Sequence, residues 1–188
     1  MGLEALLFNA PLKLIRSTQL KICTSAHIAT NPCYAFGLFL NELNFKNMII
    51  AIDFDGTCVT HEFPKVGKDI KAVPVLKALV ENGHQLVLFT MRSDIVNPTG
   101  EDNELHLESG NYLTDAVNWF KANDIPLYGI QTNPTQHTWT TSPKAYAQMY
   151  IDDAALGCPL KYDKEYAERP FVDWSVVRDM LKWNGILA

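Results

Sequence analysis

The sequence predicts an α/β fold over residues 48–188: a three-layer sandwich in which a central parallel sheet carries helices on both faces. Three observations carry that expectation. After Met48, short apolar runs rich in β-branched residues alternate with amphipathic helical stretches. Their order is strand, helix, strand, helix, strand, helix, strand, the pattern of consecutive βαβ units. The strands read as continuously apolar rather than alternating, as strands buried on both faces do.

The first strand is "MIIAID", residues 48–53. "KDIKAVPVLKALVENG" follows as a helix. Ile70, Val73, Leu76, Leu79 and Val80 share a face, Pro74 lies in the first turns and Gly83 at the C-terminal end. "HQLVLFT" is the second buried strand, and "MRSDIVNPTGEDNELHLESG" a long polar loop. In the next helix, "NYLTDAVNWFKAND", Leu113, Ala116, Val117 and Phe120 face inward. "IPLYGIQT" is the third strand and the polar "NPTQHTWTTSP" leads on from it. "KAYAQMYIDD" reads as a short helix turning into the fourth strand. The chain closes with the amphipathic "FVDWSVVRDMLKWNG", for which Asp173 is the expected N-cap and Gly185 the stop.

Residues 1–47 read differently. Their apolar runs are cut by Pro11, Pro32 and Gly37, and no helical or strand period persists. The expectation is a poorly structured extension, either a mispredicted start ahead of Met48 or a weak targeting segment. This stretch holds four basic residues (Lys13, Arg16, Lys21, Lys46) and two acidic ones (Glu4, Glu42). Of the chain's 16 basic and 21 acidic residues, that leaves 12 and 19 for the rest, a net of −7. Such a field repels a polyanion and argues against nucleic acid as a partner. Cys23, Cys33, Cys58 and Cys158 form no C-x-x-C pair and read as free thiols in a reducing, cytoplasmic setting. No apolar stretch is long enough to suggest a membrane span.

In an open parallel sheet, ligands bind at the carboxyl ends of the strands. There the sequence places Asp53 and Asp55, then Thr90, then Asp152 and Asp153, with Lys144 eight residues ahead of Asp152. Several carboxylates at one edge raise one another's pKa unless a cation sits among them. With no His or Cys at ligand spacing, the donors are all oxygen. They select a hard ion, and Mg2+ fits best. Magnesium in turn favours a phosphate oxygen as a further ligand. Lys144 supplies charge, and the Thr90 hydroxyl with the backbone N–H groups following Asp53 and Thr90, that of Met91 included, supply donors. Of two neighbouring acids, one can attack phosphorus and the other can shuttle the proton. Gly56 eases the turn between them and the rest of the loop.

"DFDGT" after an apolar strand resembles the first signature of the haloacid dehalogenase (HAD) superfamily of phosphohydrolases. "LVLFT" resembles the second, Lys144 the third and "YIDD" the fourth. The resemblance covers about residues 48–160 and extends to a small capless group of hydrolases that share a Lys eight residues before "IDD". It implies a Rossmann-like sheet, with Asp53 as nucleophile and Asp55 as acid/base. It implies that Thr90, Met91 and Lys144 hold the phosphoryl group. Magnesium would be held by Asp53, the Asp55 main-chain carbonyl and Asp152, with Asp153 as an added or water-mediated ligand. Neither of the usual insertion points has room for a substantial cap, so the site is expected to be open. That leaves homo-oligomerisation undecided.

The expected activity is magnesium-dependent hydrolysis of a small phosphorylated metabolite. Two competing expectations are a non-catalytic binding module that keeps the metal, and a phosphatase for nucleotides or nucleic-acid ends. Several residues carry a second reading. Arg92 and Ser93 line the substrate or merely a surface loop. His61 and Lys65 lie in a flap after the first motif. Trp139 is a substrate platform or a loop aromatic. Trp119, Trp174 and Trp183 are core or interface aromatics, and His84, His106 and His137 show no ligand pattern.

Overall fold

The computed structural model describes residues 47–95 and 108–188. The expectations for residues 1–46, for Cys23 and Cys33, and for the part of the polar loop holding His106 lie outside them. In chain order the elements are β1 (Ile49–Ile52), α1 (Ala72–Glu81), β2 (Gln85–Leu88), β3 (Asp94–Ile95), β4 (Gly110–Asn111), α2 (Tyr112–Ala122) and β5 (Leu127–Ile130). A 3-10 turn (Gln136–Thr138), β6 (Met149–Ile151), β7 (Leu160–Lys161), β8 (Phe171–Val172) and α3 (Trp174–Trp183) complete them.

The fold is α/β. Four strands form one sheet in the order β5-β2-β1-β6, and every neighbouring pair is parallel. Their carboxyl ends therefore share one edge. From β1 the chain steps outward through α1 to β2 and through α2 to β5, then crosses back to the far side of β1 for β6. The strand order reverses at β1, with β2 and β5 on one side and β6 on the other, and ligands of open parallel sheets bind at the carboxyl ends of the strands at such a reversal.

The two sheet faces are covered by different means. One face presents Ile50, Ile52, Leu86, Leu88 and Ile151. These join a single apolar cluster with Val75, Leu76 and Leu79 of α1, Ala116 and Phe120 of α2, and Trp174, Val177 and Leu181 of α3. On the opposite face the register sets Ala51 beside Val87 and Tyr150, and Val87 beside Gly129. Ala51 and Val87 are buried there, and the Tyr150 hydroxyl donates to the Ala145 carbonyl on the segment that follows β5. Helices on both faces are expected; among the described residues the second face is met instead by this irregular stretch.

The predicted short helix after Pro143 is absent for a local reason. The Gln136 side-chain amide donates to the carbonyls of Ser142 and Lys144, and its carbonyl accepts from the Tyr146 N–H. Asn133 donates to the Tyr146 carbonyl. Side chains thereby satisfy backbone groups that a helix would have paired, and the chain stays irregular. A close approach at Gly129 helps: a Cβ there would lie 2.3 Å from the Thr132 carbonyl oxygen.

The other helices follow their apolar periods with shifted boundaries. Helix α1 starts at Ala72, after Lys71 in the left-handed region (φ 70°), and its buried face is Ala72, Val75, Leu76 and Leu79. Ile70 is buried ahead of it, and Val73 and Val80 flank it. In α2, Ala116 and Phe120 are buried while Leu113 and Val117 pack at the margin. Asp173 caps α3 as expected, accepting from the N–H groups of Ser175 and Val176. Cys58 and Cys158 are free thiols. Among the described residues no helix is long and apolar enough to cross a membrane.

Candidate functional site

The crevice between β1 and β6 gathers the acids. Asp53 follows β1 directly, and its N–H donates to the Ile151 carbonyl (3.0 Å), which extends the pairing of the two strands. Asp152 and Asp153 follow β6 directly. Carboxylate oxygens of these three residues lie within 4.8 Å of one another. Strands β1 and β6 pair in parallel, so their register brings the residues that follow them to one edge.

The loop after β1 supports this cluster. The Thr57 hydroxyl donates to Asp53 Oδ2 (3.0 Å) and accepts from the Asp153 N–H (3.0 Å). The Thr57 carbonyl in turn accepts from Trp174 Nε1 (2.7 Å), at the first turn of α3. The Cys58 thiol points to the Asp53 carbonyl (3.2 Å); burial pushes that thiol well up, so it stays neutral. Gly56, at φ 80°, makes the turn. A Cβ there would fall 2.1 Å from His61 Nε2 and 2.8 Å from Asp153 Oδ2, so the absence of a side chain lets His61 reach Asp153. These two meet at 2.7 Å.

Burial, first, and the charges of Asp152 and Asp153 push the Asp53 carboxyl up from 3.8 to about 7, against the lowering effect of bonds from the Phe54 N–H and the Thr57 hydroxyl. A carboxylate in this position is held at a high free energy until a positive charge joins it. The donor set is three carboxylates, and it suits a hard divalent cation.

Asp55 lies elsewhere. Its carboxylate accepts from Arg92 Nε (2.6 Å) and Nη2 (2.7 Å), a bidentate pair. Arg92 is buried, contrary to the surface-loop expectation for it. Its Nη2 also donates to the Lys65 carbonyl (2.7 Å), and its Nη1 to the carbonyls of Pro64 (3.3 Å) and Tyr112 (3.4 Å). A guanidinium has five N–H donors, and here five acceptors take them. No donor remains for a ligand.

The predicted phosphate-binding residues are distributed as follows. Thr90 stands just beyond β2, its backbone clamped by Gln131, whose amide accepts from the Thr90 N–H (3.0 Å) and donates to the carbonyls of Thr90 (2.6 Å) and Arg92 (3.0 Å). The Thr90 hydroxyl accepts from the Arg92 N–H (3.3 Å), which leaves its own hydrogen to donate. The Met91 side chain is fully exposed. Lys144 is exposed, its Nζ 5.2 Å from the centre of the Tyr150 ring, and among the described residues no carboxylate lies within ion-pair distance of it. Trp139 is exposed and meets Tyr146 edge-on at 5.4 Å. Trp174 is buried in the core and Trp183 is exposed. Lys65 enters the site through its carbonyl.

Thr57, Gln131 and Trp174 were not singled out for the site. Thr57 had a signal, a hydroxyl at the end of "DFDGT". Gln131 and Trp174 had none, because each acts on residues far away in sequence.

No family model matches the chain, and no curated protein matches it. A solved structure of a conserved protein from Bacteroides thetaiotaomicron is similar. It is 29% identical, covering 73% of this chain and 91% of that one, with a TM-score of 0.53.

Proposed function

We propose that the chain is a magnesium-dependent phosphomonoesterase of the haloacid dehalogenase type, acting on a small phosphorylated metabolite through an aspartyl-phosphate. The observation that carries this reading is the meeting of Asp53 with Asp152 and Asp153 within 4.8 Å at the crevice between β1 and β6. Three carboxylates so placed, with Asp53 pushed up to about 7 by burial and by its two neighbours, are an arrangement that a cation relieves. Asp53, Asp152 and Asp153 would hold the metal, with the Asp55 main-chain carbonyl. When bound, it would neutralise the acids and draw electron density from the phosphoryl oxygens.

The remaining chemistry belongs to the chain. An Asp53 oxygen attacks phosphorus, and the bond from phosphorus to the ester oxygen breaks with its electron pair leaving on that oxygen. Asp55, entering this step as the acid with its proton on an oxygen lone pair that Arg92 leaves free, gives that oxygen the proton. Water then attacks the phosphorus of the acyl phosphate, Asp55 takes a proton from the water, and phosphate leaves Asp53 free again. The Thr90 hydroxyl and Lys144 would steady the phosphoryl oxygens. An open edge without a cap fits a small ester reached from solvent.

The test is phosphate release from an aryl phosphate and a metabolite panel, with and without magnesium, by the wild-type chain and by Asp53→Asn. Loss of a nucleophile costs roughly 10⁴-fold or more in kcat. Equal rates in the two proteins would remove the mechanism.

A further inference from the structure

Arg92 holds together three parts of the chain that sequence separates. The loop after β1 supplies the Asp55 carboxylate and the Phe54 ring. The flap supplies the carbonyls of Pro64 and Lys65 and the Phe63 ring. The start of α2 supplies the Tyr112 carbonyl. The guanidinium lies 5.0 Å from the Phe54 ring centre and 5.2 Å from that of Phe63. Phe63 in turn packs against the Tyr112 ring at 5.2 Å. The Arg92 side chain is 1% exposed and the Asp55 side chain 16%.

Two physical consequences follow. A buried guanidinium needs its carboxylate, so Asp55 is not free to swing away. The bidentate geometry also fixes the plane of the Asp55 carboxyl group, because both of its oxygens face the planar fork. The same guanidinium gives two of its donors to flap carbonyls. A displaced flap would therefore leave those donors unpaired and loosen the seat of Asp55.

We infer that Arg92 is a positioning residue that couples the seating of the flap, residues 61–68, to the orientation of the Asp55 carboxyl group. Arg92 touches no substrate. It acts through Asp55, and it makes proton delivery to the leaving group depend on a closed flap. This inference rests on the phosphohydrolase reading, in which Asp55 handles the proton while Asp53 forms the bond to phosphorus.

A misplaced proton donor harms poor leaving groups most. A nitrophenolate departs without help, whereas an alkoxide needs a proton as the bond breaks. The experiment compares kcat/KM for a nitrophenyl phosphate and for a simple alkyl phosphate in three proteins: wild type, Arg92→Lys and Phe63→Ala. Lysine keeps the charge but cannot reproduce the fork or reach the flap carbonyls at the same time. Phe63→Ala loosens the flap side alone, at a half-exposed ring, and leaves the Arg92–Asp55 pair in place. General acid help is worth roughly 10²–10⁴-fold, so Arg92→Lys should lose on the order of 10²-fold on the alkyl ester and only a few fold on the aryl ester. Phe63→Ala should shift the ratio in the same direction by a smaller factor. A merely structural role lowers both rates in proportion, and a ratio that stays constant in both variants overturns the coupling. So does a ratio that moves the other way. A shift in Arg92→Lys with none in Phe63→Ala overturns the part assigned to the flap. Absence of turnover by the wild-type chain on both esters would instead remove the phosphohydrolase reading on which the coupling rests.

Discussion

Metal-free protein should become less stable as pH rises through the range in which Asp53 loses its proton. The carboxyl group is pushed from 3.8 to about 7, mainly by burial and then by Asp152 and Asp153. Between those values the folded chain keeps a proton that the unfolded chain has released. Stability therefore falls with rising pH across that window and levels off above it. Each tenfold step in proton affinity corresponds to about 1.4 kcal/mol, so a carboxyl group moved from 3.8 to about 7 carries a full penalty approaching about 4 kcal/mol at pH 8. Asp53 keeps some contact with solvent, which makes this an upper figure.

Asp53→Asn isolates the effect. The amide still accepts from the Thr57 hydroxyl but does not titrate. In chelator, urea midpoints of the two proteins should be close near pH 4, and the variant should be the more stable by several kcal/mol at pH 8. Saturating magnesium should close most of that gap by stabilising the wild type. Binding must displace the Asp53 proton below pH 7, so magnesium affinity should weaken about tenfold per pH unit there. A difference between the proteins that is the same at pH 4 and pH 8 would refute the argument.

Two further substitutions probe the support of the same crevice. Gly56→Ala should cost about 2 kcal/mol or more in a urea titration and weaken magnesium binding, because φ is 80° and the new Cβ would displace His61 from Asp153. Trp174→Phe removes the 2.7 Å bond to the Thr57 carbonyl, leaving a buried acceptor unpaired. It should lower stability by about 1–3 kcal/mol and also weaken magnesium binding, measured by titration calorimetry.

The parts of the fold that could be read from the sequence are those with a local cause. Strands β1 and β2 are short runs buried at nearly every position, and a strand in that environment has to be apolar along its length; β5 and β6, at the edges of the sheet, are only partly buried but carry the same apolar run. The Asp173 cap needs only the N–H groups two and three residues further on. The acids could be placed because strand ends in a parallel sheet share an edge whatever the loops do. What could not be read depends on distant partners. Residues 144–148 carry the composition of a helix, yet Gln136 and Asn133 take the backbone groups that a helix needs. The two-residue pairs β3–β4 and β7–β8 are too short to leave a period. Arg92 reads as a polar loop residue because its burial depends on Asp55, 37 positions earlier. His61 meets Asp153 across 92 positions. Neither spacing leaves a mark that a single sequence can show.

The asymmetry of the sheet accounts for the kind of site it supports. Helices fill the face that carries Ile50, Ile52, Leu86 and Leu88. The other face carries Ala51, Val87 and Gly129 with Tyr150 beside them, and the Tyr150 hydroxyl ties it to the irregular segment after β5 through the Ala145 carbonyl. That segment bears Lys144 and reaches β6 without a helix to lift it away from the sheet. Rigid strands thus place Asp53, Asp152 and Asp153, where an error of an ångström would matter to a cation. The loops place the neighbouring polar groups: Asp55 through Arg92, His61 through the glycine at position 56, and Thr90 through Gln131. Each of these loop residues is held by a named bond to a partner at least 36 residues away or by a close backbone approach. Movement of any one loop is therefore felt at the acids through a small number of contacts that substitution can break one at a time.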